Sequence, residues 1–404
     1  MITIAVIGKN FGDEGKGLAC ASLSQRYKNT LIIRHNGGGQ AGHTVENQDG
    51  KRFIHHQIGS GAEYGAATLL ASTFLVDLFQ LGKELKEFED LFGFRPLVYA
   101  ERDTNITVID DVLRNMFIES LRGDKRHGSC GMGINECINR HECGFKLTVA
   151  EVQNLSAKEL LDKLQVFRRE YGQKNIETMK ADFELVRPGE SCEYYDMLMD
   201  EDVLANFAQA IKEVAKEITI VDATSDWLSE FDQVVFETGQ GLLLDNDYKR
   251  YAPHLTPSKT GLYNVARFLE KRDLALDEVI YVTRCYVTRH GNGPLPCEVD
   301  KAEIAGVEED LTNIHNEWQG TIRYARHESL EAFAEPVKED VKSVEACYCM
   351  KGTTISLLLT HLNETGDNVC FLDGDLKADE LVKILKSEYG FGNVYESHSR
   401  YGMD

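Results

Sequence analysis

Two glycine-rich stretches hold the residues of this chain best suited to chemistry. The first, Gly8-Lys9-Asn10-Phe11-Gly12-Asp13-Glu14-Gly15-Lys16-Gly17, packs two lysines, two carboxylates and four glycines into ten positions. Glycines let backbone N–H groups approach phosphate oxygens, a following helix adds the positive end of its dipole, and Lys16 can reach β/γ oxygens. The stretch departs from the P-loop pattern G-x4-G-K-[ST] twice. Asn10 stands where the first glycine belongs, and Gly17 stands where the Mg²⁺-binding hydroxyl belongs. A nucleotide-bound Mg²⁺ would therefore draw its oxygen ligand from elsewhere, and Asp13 is the nearest carboxylate.

The second stretch is Asn36-Gly37-Gly38-Gly39-Gln40-Ala41-Gly42-His43-Thr44. A histidine beside a phosphate loop is a candidate acid or stabiliser of phosphoryl charge. The elements that must position both stretches are legible around them. Ile2–Gly8 and Thr30–His35 are apolar runs of the kind buried in a parallel sheet, and a helical pattern spans about 16–27 between them. Strand, helix, strand is a βαβ unit, which puts both glycine loops at the carboxyl ends of neighbouring strands, where open α/β sheets bind ligands. Apolar runs at Leu97–Ala100, Gln233–Glu237, Val279–Val287 and Val369–Leu372 are expected to join the same sheet. Helical patterns fit about 109–122, 157–172, 201–217, 261–271 and 377–388. The expected fold is α/β and P-loop-like, a largely parallel central sheet flanked by helices. A single elaborated domain over 1–404 is expected, with a helix-rich insertion at about 150–220 lying outside the sheet.

Composition narrows the function. The 404 residues are 42% hydrophobic and 27% charged, ordinary for a soluble protein with a full core. Lys plus Arg number 44 against 66 Asp plus Glu, a net charge of −22 that opposes sequence-independent nucleic-acid binding. Small anionic ligands remain compatible, because a local basic cluster can outweigh the global sign. The opening Met-Ile-Thr-Ile-Ala-Val carries no signal-peptide pattern, and the greasiest stretch, Leu69–Phe79, is interrupted by Asp77 and too short for a membrane span. A cytoplasmic protein is expected. The ten scattered cysteines then read as reduced thiols. His127, Cys130, Cys137, His141 and Cys143 include zinc-ligand types, but their irregular spacing favours a polar loop that happens to contain sulfur.

Five motifs, in order along the chain, resemble those of the adenylosuccinate synthetase family. Gly12–Gly17 matches its GDEGKG, and Gly37–Thr44 is similar to its GGxNAGHT. Gly128-Ser129-Cys130-Gly131-Met132-Gly133-Ile134 is similar to its GTTGRGI, Phe236–Asp245 to its FEGAQGxLLD, and Val287–Pro296 to its TRVGxGPFP. The resemblance implies a GTP-dependent ligase that joins L-aspartate to C6 of IMP through a 6-phosphoryl-IMP intermediate, giving adenylosuccinate in AMP biosynthesis. It assigns Asp13 as the base that removes the N1 proton, with Lys16, Mg²⁺ and His43 neutralising the transferring phosphoryl group. Mg²⁺ would be held by Asp13 and the Gly42 carbonyl. The triphosphate would meet Gly12, Gly15, Lys16, Gly17, Gly42, His43, Thr44 and, at its base, Asn363. The monophosphate would meet Asp13, Gln40, Ser129, Cys130, Gln240 and Thr256. A homodimer is implied, with Arg140 (or Arg126) donated from the neighbouring subunit to the monophosphate.

Two departures bear on substrates. The family's arginine-rich aspartate loop is thinned here to Gln319-Gly320-Thr321-Ile322-Arg323-Tyr324-Ala325-Arg326, leaving Thr321 and Arg323 to hold a carboxylate. The guanine-reading segment LTKLD becomes Leu359-Thr360-His361-Leu362-Asn363. An amide at 363 offers one donor and one acceptor, which opposes guanine and suits adenine, so ATP is expected to serve at least as well as GTP. Both changes are similar to the divergent phage branch that acts on dGMP, whereas the retained Asp13, typically Ser in that branch, favours IMP. A related ligase on (d)GMP and a non-ligating P-loop switch are the alternatives. The second glycine loop and the Gln240 motif speak against a switch, which needs no monophosphate pocket.

Overall fold

The computed structural model describes residues 1–122, 131–304, 306–307 and 320–403, with the backbone alone at 173–175. Nine strands form one sheet: β1 Ile2–Gly8, β2 Thr30–Arg34, β3 Ala67–Leu70, β4 Val98–Glu101, β5 Thr219–Val221, β6 Gln233–Gly241, β7 Glu278–Arg284, β8 Thr354–Thr360 and β9 Val394–Glu396. Their order across the sheet is β9-β8-β7-β1-β6-β2-β3-β4-β5, and every neighbouring pair runs parallel. The expected α/β architecture is the one observed. Alternate residues of the central strands serve opposite faces, as the two-residue period of a strand requires. Ala5, Ile7, Leu31, Ile33, Phe236 and Tyr281 pack in one core cluster. Ile4, Val6, Ile32, Val235 and Ile280 pack in another, beneath Ala19 and Leu23 of helix α1, Lys16–Arg26. Burial on both faces is why these strands read as continuous apolar runs.

Three sequence expectations need correction. Val279–Val287 is not one strand: β7 ends at Arg284, and Val287–Arg289 belongs to a separate three-stranded antiparallel sheet. Val369–Leu372 does not join the large sheet. Asn368–Val369 pairs antiparallel with Leu376–Lys377, because the chain reverses through Gly374, whose φ is 129°. The 150–220 segment is not wholly outside the sheet, since its last residues form edge strand β5. Its helices at Ala157–Val166 and Glu201–Ala215 bury Leu160, Leu164, Leu204, Phe207 and Ile211 in the cluster that also holds Leu70, Val98 and Ala100. That segment covers one end of the sheet.

Candidate functional site

The first glycine loop leaves β1 and folds around a side chain that motif reading passed over. Glu14 is buried, and its Oε1 accepts from the amides of Asn10 at 3.0 Å and Gly12 at 2.8 Å. Its Oε2 lies 2.7 Å from Nζ of Lys16, also buried. The loop is fastened to its neighbours on the β7 and β8 side. Thr360 donates its hydroxyl to the Glu14 carbonyl at 2.7 Å, Arg284 donates Nε to the Asp13 carbonyl at 2.6 Å, and Asn10 donates Nδ2 to Thr283 at 2.8 Å. Gly15 precedes α1 with φ 103° and offers no side-chain cap, so first-turn amides of the helix are left for a ligand. A β-carbon at Gly17 would stand 3.0 Å from Cβ of His43 and 3.3 Å from the Thr44 carbonyl. The missing P-loop hydroxyl thus has a steric cause: the second glycine loop runs against that position.

His43 opens a short hairpin, His43–Glu46 against Arg52–His55, that follows the second glycine loop. Its Nδ1 lies 2.5 Å from Oε1 of Glu237, and Glu237 is 3.2 Å from Arg34. Arg34, the last residue of β2, and Glu237, midway along β6, are register partners. All three side chains are buried, and the Ser60 amide donates to Glu237 at 2.9 Å. Burial alone would push the Glu237 carboxyl up, but Arg34, His43 and Ser60 outweigh it and hold it well below the usual carboxylate range. Burial takes His43 down to about 4 against the pull of Glu237. A ring nitrogen 2.5 Å from a carboxylate carries the proton, so Nδ1–H is fixed on Glu237. Among the described residues the buried Nε2 meets no hydrogen-bond partner, which makes it the ring atom open to a ligand. Neither Glu237 nor Arg34 stood out in the sequence as functional. The signal was a charge at the end of each of two apolar runs, 30–34 and 233–237.

Asp13 is half-buried on a left-handed backbone, φ 62°. Burial pushes its carboxyl up, while His290, Arg284 and Lys16 pull against that rise. Gln240, also left-handed at φ 64°, receives the Ser258 hydroxyl at 3.4 Å, and Ser258 lies 3.2 Å from the hydroxyl of buried Thr256. The structure therefore brings Gln240 and Thr256 together and adds Ser258, which the sequence reading missed. Gln40 sits over the second glycine loop with Oε1 buried and unpartnered among the described residues, its amide filling the space where Gly37 has no side chain. Thr44 follows His43 on the hairpin, and Gly42 is exposed beside Ile54 and His56. Ser129, Cys130 and Arg126 lie outside the described residues.

Arg140 is corrected. It is a buried structural residue of its own chain, with Nε and Nη2 on Asp111, Nη2 also on the Ile106 carbonyl at 2.9 Å, and Nη1 on the Phe145 carbonyl. Four of its five N–H groups are engaged inside its own chain, and the buried side chain is not presented to a neighbour. Arg323 donates both terminal nitrogens to the Gly293 carbonyl, at 2.8 and 2.9 Å, and its Nε faces Glu298 at 3.1 Å. Thr321 is exposed beside it. Asn363 is exposed on the short helix Leu362–Thr365, which follows β8 directly. A β-carbon at Gly15 would lie 3.2 Å from Thr360, so position 363 stands three residues from the wall of the phosphate loop.

The cysteines at 137 and 143 are free. Among the described residues no group of three or more His, Cys, Asp or Glu is arranged to hold a metal. Mg²⁺ asks for something different: one or two protein oxygens, completed by phosphate oxygens and water. The Asp13 carboxylate and the Gly42 carbonyl are donors of that type, and the set fits. Among the described residues no helix is long and apolar enough to cross a membrane.

A parallel sheet with two glycine loops, a buried lysine and an ion-paired histidine at one carboxyl edge defines an α/β protein with a candidate nucleotide site. Comparison with known proteins supplies the family. The adenylosuccinate synthetase family profile matches residues 5–342, and the chain belongs to that family. Adenylosuccinate synthetase of Lactobacillus johnsonii is 28% identical over 313 residues, 74% of this chain and 66% of that protein. The Francisella philomiragia protein of the same name is 29% identical over 314 residues, with the same coverage. The chain spans about two thirds of the length of these curated relatives. Among solved structures, the fully ligated adenylosuccinate synthetase of Plasmodium falciparum superposes with a TM-score of 0.64 at 18% identity, covering 91% of this chain and 78% of that one. The succinoaminodeoxyadenylate synthetase of cyanophage S-2L, bound to dGMP and dATP, superposes with a TM-score of 0.61 at 16% identity, covering 99% and 93%. At these identities the two structures speak to the fold.

Proposed function

We propose that this protein is a ligase that joins the amino group of L-aspartate to C6 of a 6-oxopurine nucleoside 5′-monophosphate, driven by a nucleoside triphosphate, with IMP as the acceptor the retained Asp13 favours. The observation that carries the reading is the buried Arg34–Glu237–His43 array, placed at the same sheet edge as Asp13 and the glycine loop. An isolated nucleotide switch has no use for a histidine held this way. The C6 oxygen of a purine lactam is a poor leaving group and must be activated. Asp13 removes the N1 proton, which makes O6 a nucleophile toward the γ-phosphorus; the bond to the β–γ bridging oxygen breaks and the nucleoside diphosphate leaves. Burial raises the Asp13 carboxyl toward the working pH of a general base, and Lys16 and Arg284 keep its ionised form accessible. Lys16 must leave Glu14 to meet the triphosphate, so the resting loop holds its own counter-charge. His43 presents Nε2 to the transferring group, and Glu237 stabilises the imidazolium that forms when Nε2 takes a proton. Asp13 and the Gly42 carbonyl would hold Mg²⁺, which when bound would supply charge neutralisation on the phosphates. The amine of aspartate, positioned by Thr321 and Arg323, then displaces phosphate from C6.

A second reading, a (d)GMP acceptor with dATP or ATP as donor, draws on the cyanophage relative bound to those nucleotides and on Asn363 in place of a guanine-reading carboxylate. One assay tests both. IMP, dIMP, GMP and dGMP are each incubated with aspartate and with GTP or ATP, and products are read by mass spectrometry. A succinylated purine nucleotide whose formation needs both acceptor and aspartate supports the ligase. Triphosphate hydrolysis indifferent to both defeats it.

A further inference from the structure

The last residues of two adjacent strands, Arg284 of β7 and Thr360 of β8, are register partners in the sheet. Each reaches across to the first glycine loop and holds one of two consecutive carbonyls. Arg284 donates Nε to that of Asp13 at 2.6 Å, and Thr360 donates its hydroxyl to that of Glu14 at 2.7 Å. The two peptides that follow Asp13 are thus fixed from the β7 and β8 side. Asp13 needs such a hold. Its φ of 62° is left-handed, a backbone that a residue with a side chain keeps only where its surroundings fix it. His361, directly after Thr360, has the same backbone at φ 63°.

Arg284 is itself held. Its Nη1 donates to the Tyr286 hydroxyl at 3.2 Å, and that hydroxyl donates onward to Oε2 of Glu364 at 2.6 Å. Arg284 and Tyr286 are buried, and Glu364 is half-buried. The bonds run in one sense, from guanidinium N–H to phenol O–H to carboxylate. Each polarises the next, and the carboxylate ends the line as a pure acceptor. Glu364 lies on the short helix Leu362–Thr365, one residue after Asn363. The Tyr286 ring also meets the His361 ring edge-on, with centroids 6.0 Å apart. Between Arg284 and Tyr286, Cys285 donates Sγ to the His361 carbonyl at 3.2 Å. Residues 284–286 therefore tie the turn at 360–364 to the phosphate loop. The phenol oxygen of Tyr286 is the joint of that tie, because it carries two of the bonds.

Resting on the ligase reading above, we propose that Tyr286 and Glu364 are positioning residues that hold Arg284 on the Asp13 carbonyl, making the helix at 362–365 and the Asp13 carboxylate one rigid unit. The test measures kcat and KM with IMP, aspartate and ATP in Tyr286→Phe, Glu364→Ala, Glu364→Gln and the double variant Tyr286→Phe/Glu364→Ala. Tyr286→Phe and Glu364→Ala are each expected to lower kcat about tenfold, with KM for IMP and ATP within about twofold, as for a misaligned base. Glu364→Gln keeps an oxygen acceptor and retains most of the rate. The double variant falls no further than either single one. Unchanged kcat in both single variants, or losses that multiply in the double variant, overturn the assignment. Amide hydrogen exchange of the ligand-free proteins reads the same tie without turnover. Faster exchange confined to residues 9–16 in Tyr286→Phe, at an unchanged melting temperature, supports the positioning role even where the wild type makes no succinylated product, a result that defeats the ligase alone. Exchange unchanged there, or faster everywhere with a lower melting temperature, overturns it. If Tyr286→Phe fails to fold, Glu364→Ala, at a half-buried side chain, carries both readouts.

Discussion

The side of the candidate site proposed to meet phosphate and the side proposed to read substrate are built in opposite ways. Among the described residues, Glu14, Lys16, Glu237 and Arg34 are buried and paired with one another's charges, and His43 is bonded to Glu237 with only Nε2 left open. The side chains of Thr321 and Asn363 are exposed, and Gln40 keeps a buried atom without a partner among the described residues. Positioning a phosphoryl group demands fixed charges in a water-excluded setting, where they act most strongly. Choosing a base or an amino acid depends on groups free to bond the ligand, so their capacity is left unspent. The contrast says where change is tolerated. Substitutions in the paired region should cost catalysis or stability outright, and substitutions in the open region should redirect preference.

The sharpest break of that comparison is Asp13→Ala, which joins the two sides. It should abolish ligation, since loss of a general base alone costs about 10²–10⁴-fold and a metal ligand goes with it, while nucleotide binding stays measurable by calorimetry. Near wild-type turnover would refute the role. Arg140→Met comes next and probes stability. Removing one member of a buried pair with Asp111 should cost about 3–5 kcal/mol in chemical denaturation. Mixing that variant with an Asp13→Ala partner should then give no complementation of activity, because Arg140 serves only its own chain.

Third is His43→Asn, expected to lower kcat by about 10²-fold with little change in KM, as for a contact that strengthens in the transition state. Glu237→Gln should move kcat in the same direction, and a pure KM effect in either variant would make His43 a ground-state binder. The smallest effect belongs to the open side. Asn363→Asp should shift the ratio of kcat/KM for GTP over ATP upward by about tenfold, the worth of one corrected bidentate contact. A strong wild-type GTP preference that Asn363→Asp leaves unchanged would detach base choice from position 363.

The sequence made the central βαβ unit and the two loops readable because their signals are local. Ile2–Gly8 and Thr30–Arg34 are continuous apolar runs, and glycines mark the turns that follow. β3, Ala67–Leu70, runs into the apolar stretch Leu69–Phe79, where strand, turn and the start of the next helix share one composition. β9 is a three-residue edge strand with too few residues for a period. Among the candidate site residues, Asp13, Lys16, His43 and Gln240 lie in motifs, and Thr256 lies outside them. Glu237 and Arg34 act through a pairing between strands about two hundred positions apart, which no local spacing reveals. Arg140 misled for the converse reason. Its motif neighbourhood suggested a shared residue, and only packing shows the guanidinium bonded to Asp111 in its own subunit.

The contact between Gly17 and His43 also constrains how such a site can change over generations. Installing a serine or threonine at 17 would complete the hydroxyl of an ordinary P-loop by one codon step from glycine or two. In this protein the new β-carbon meets the His43 Cβ at 3.0 Å and the Thr44 carbonyl at 3.3 Å, and both belong to the hairpin backbone's immediate surroundings. The hydroxyl-based and histidine-based ways of handling a γ-phosphate therefore compete for the same few cubic ångströms. Adding a side chain at 17 would make His43 and Thr44 give way by a few tenths of an ångström, so a hydroxyl gained there would shift the very residue that the histidine-based arrangement holds in place.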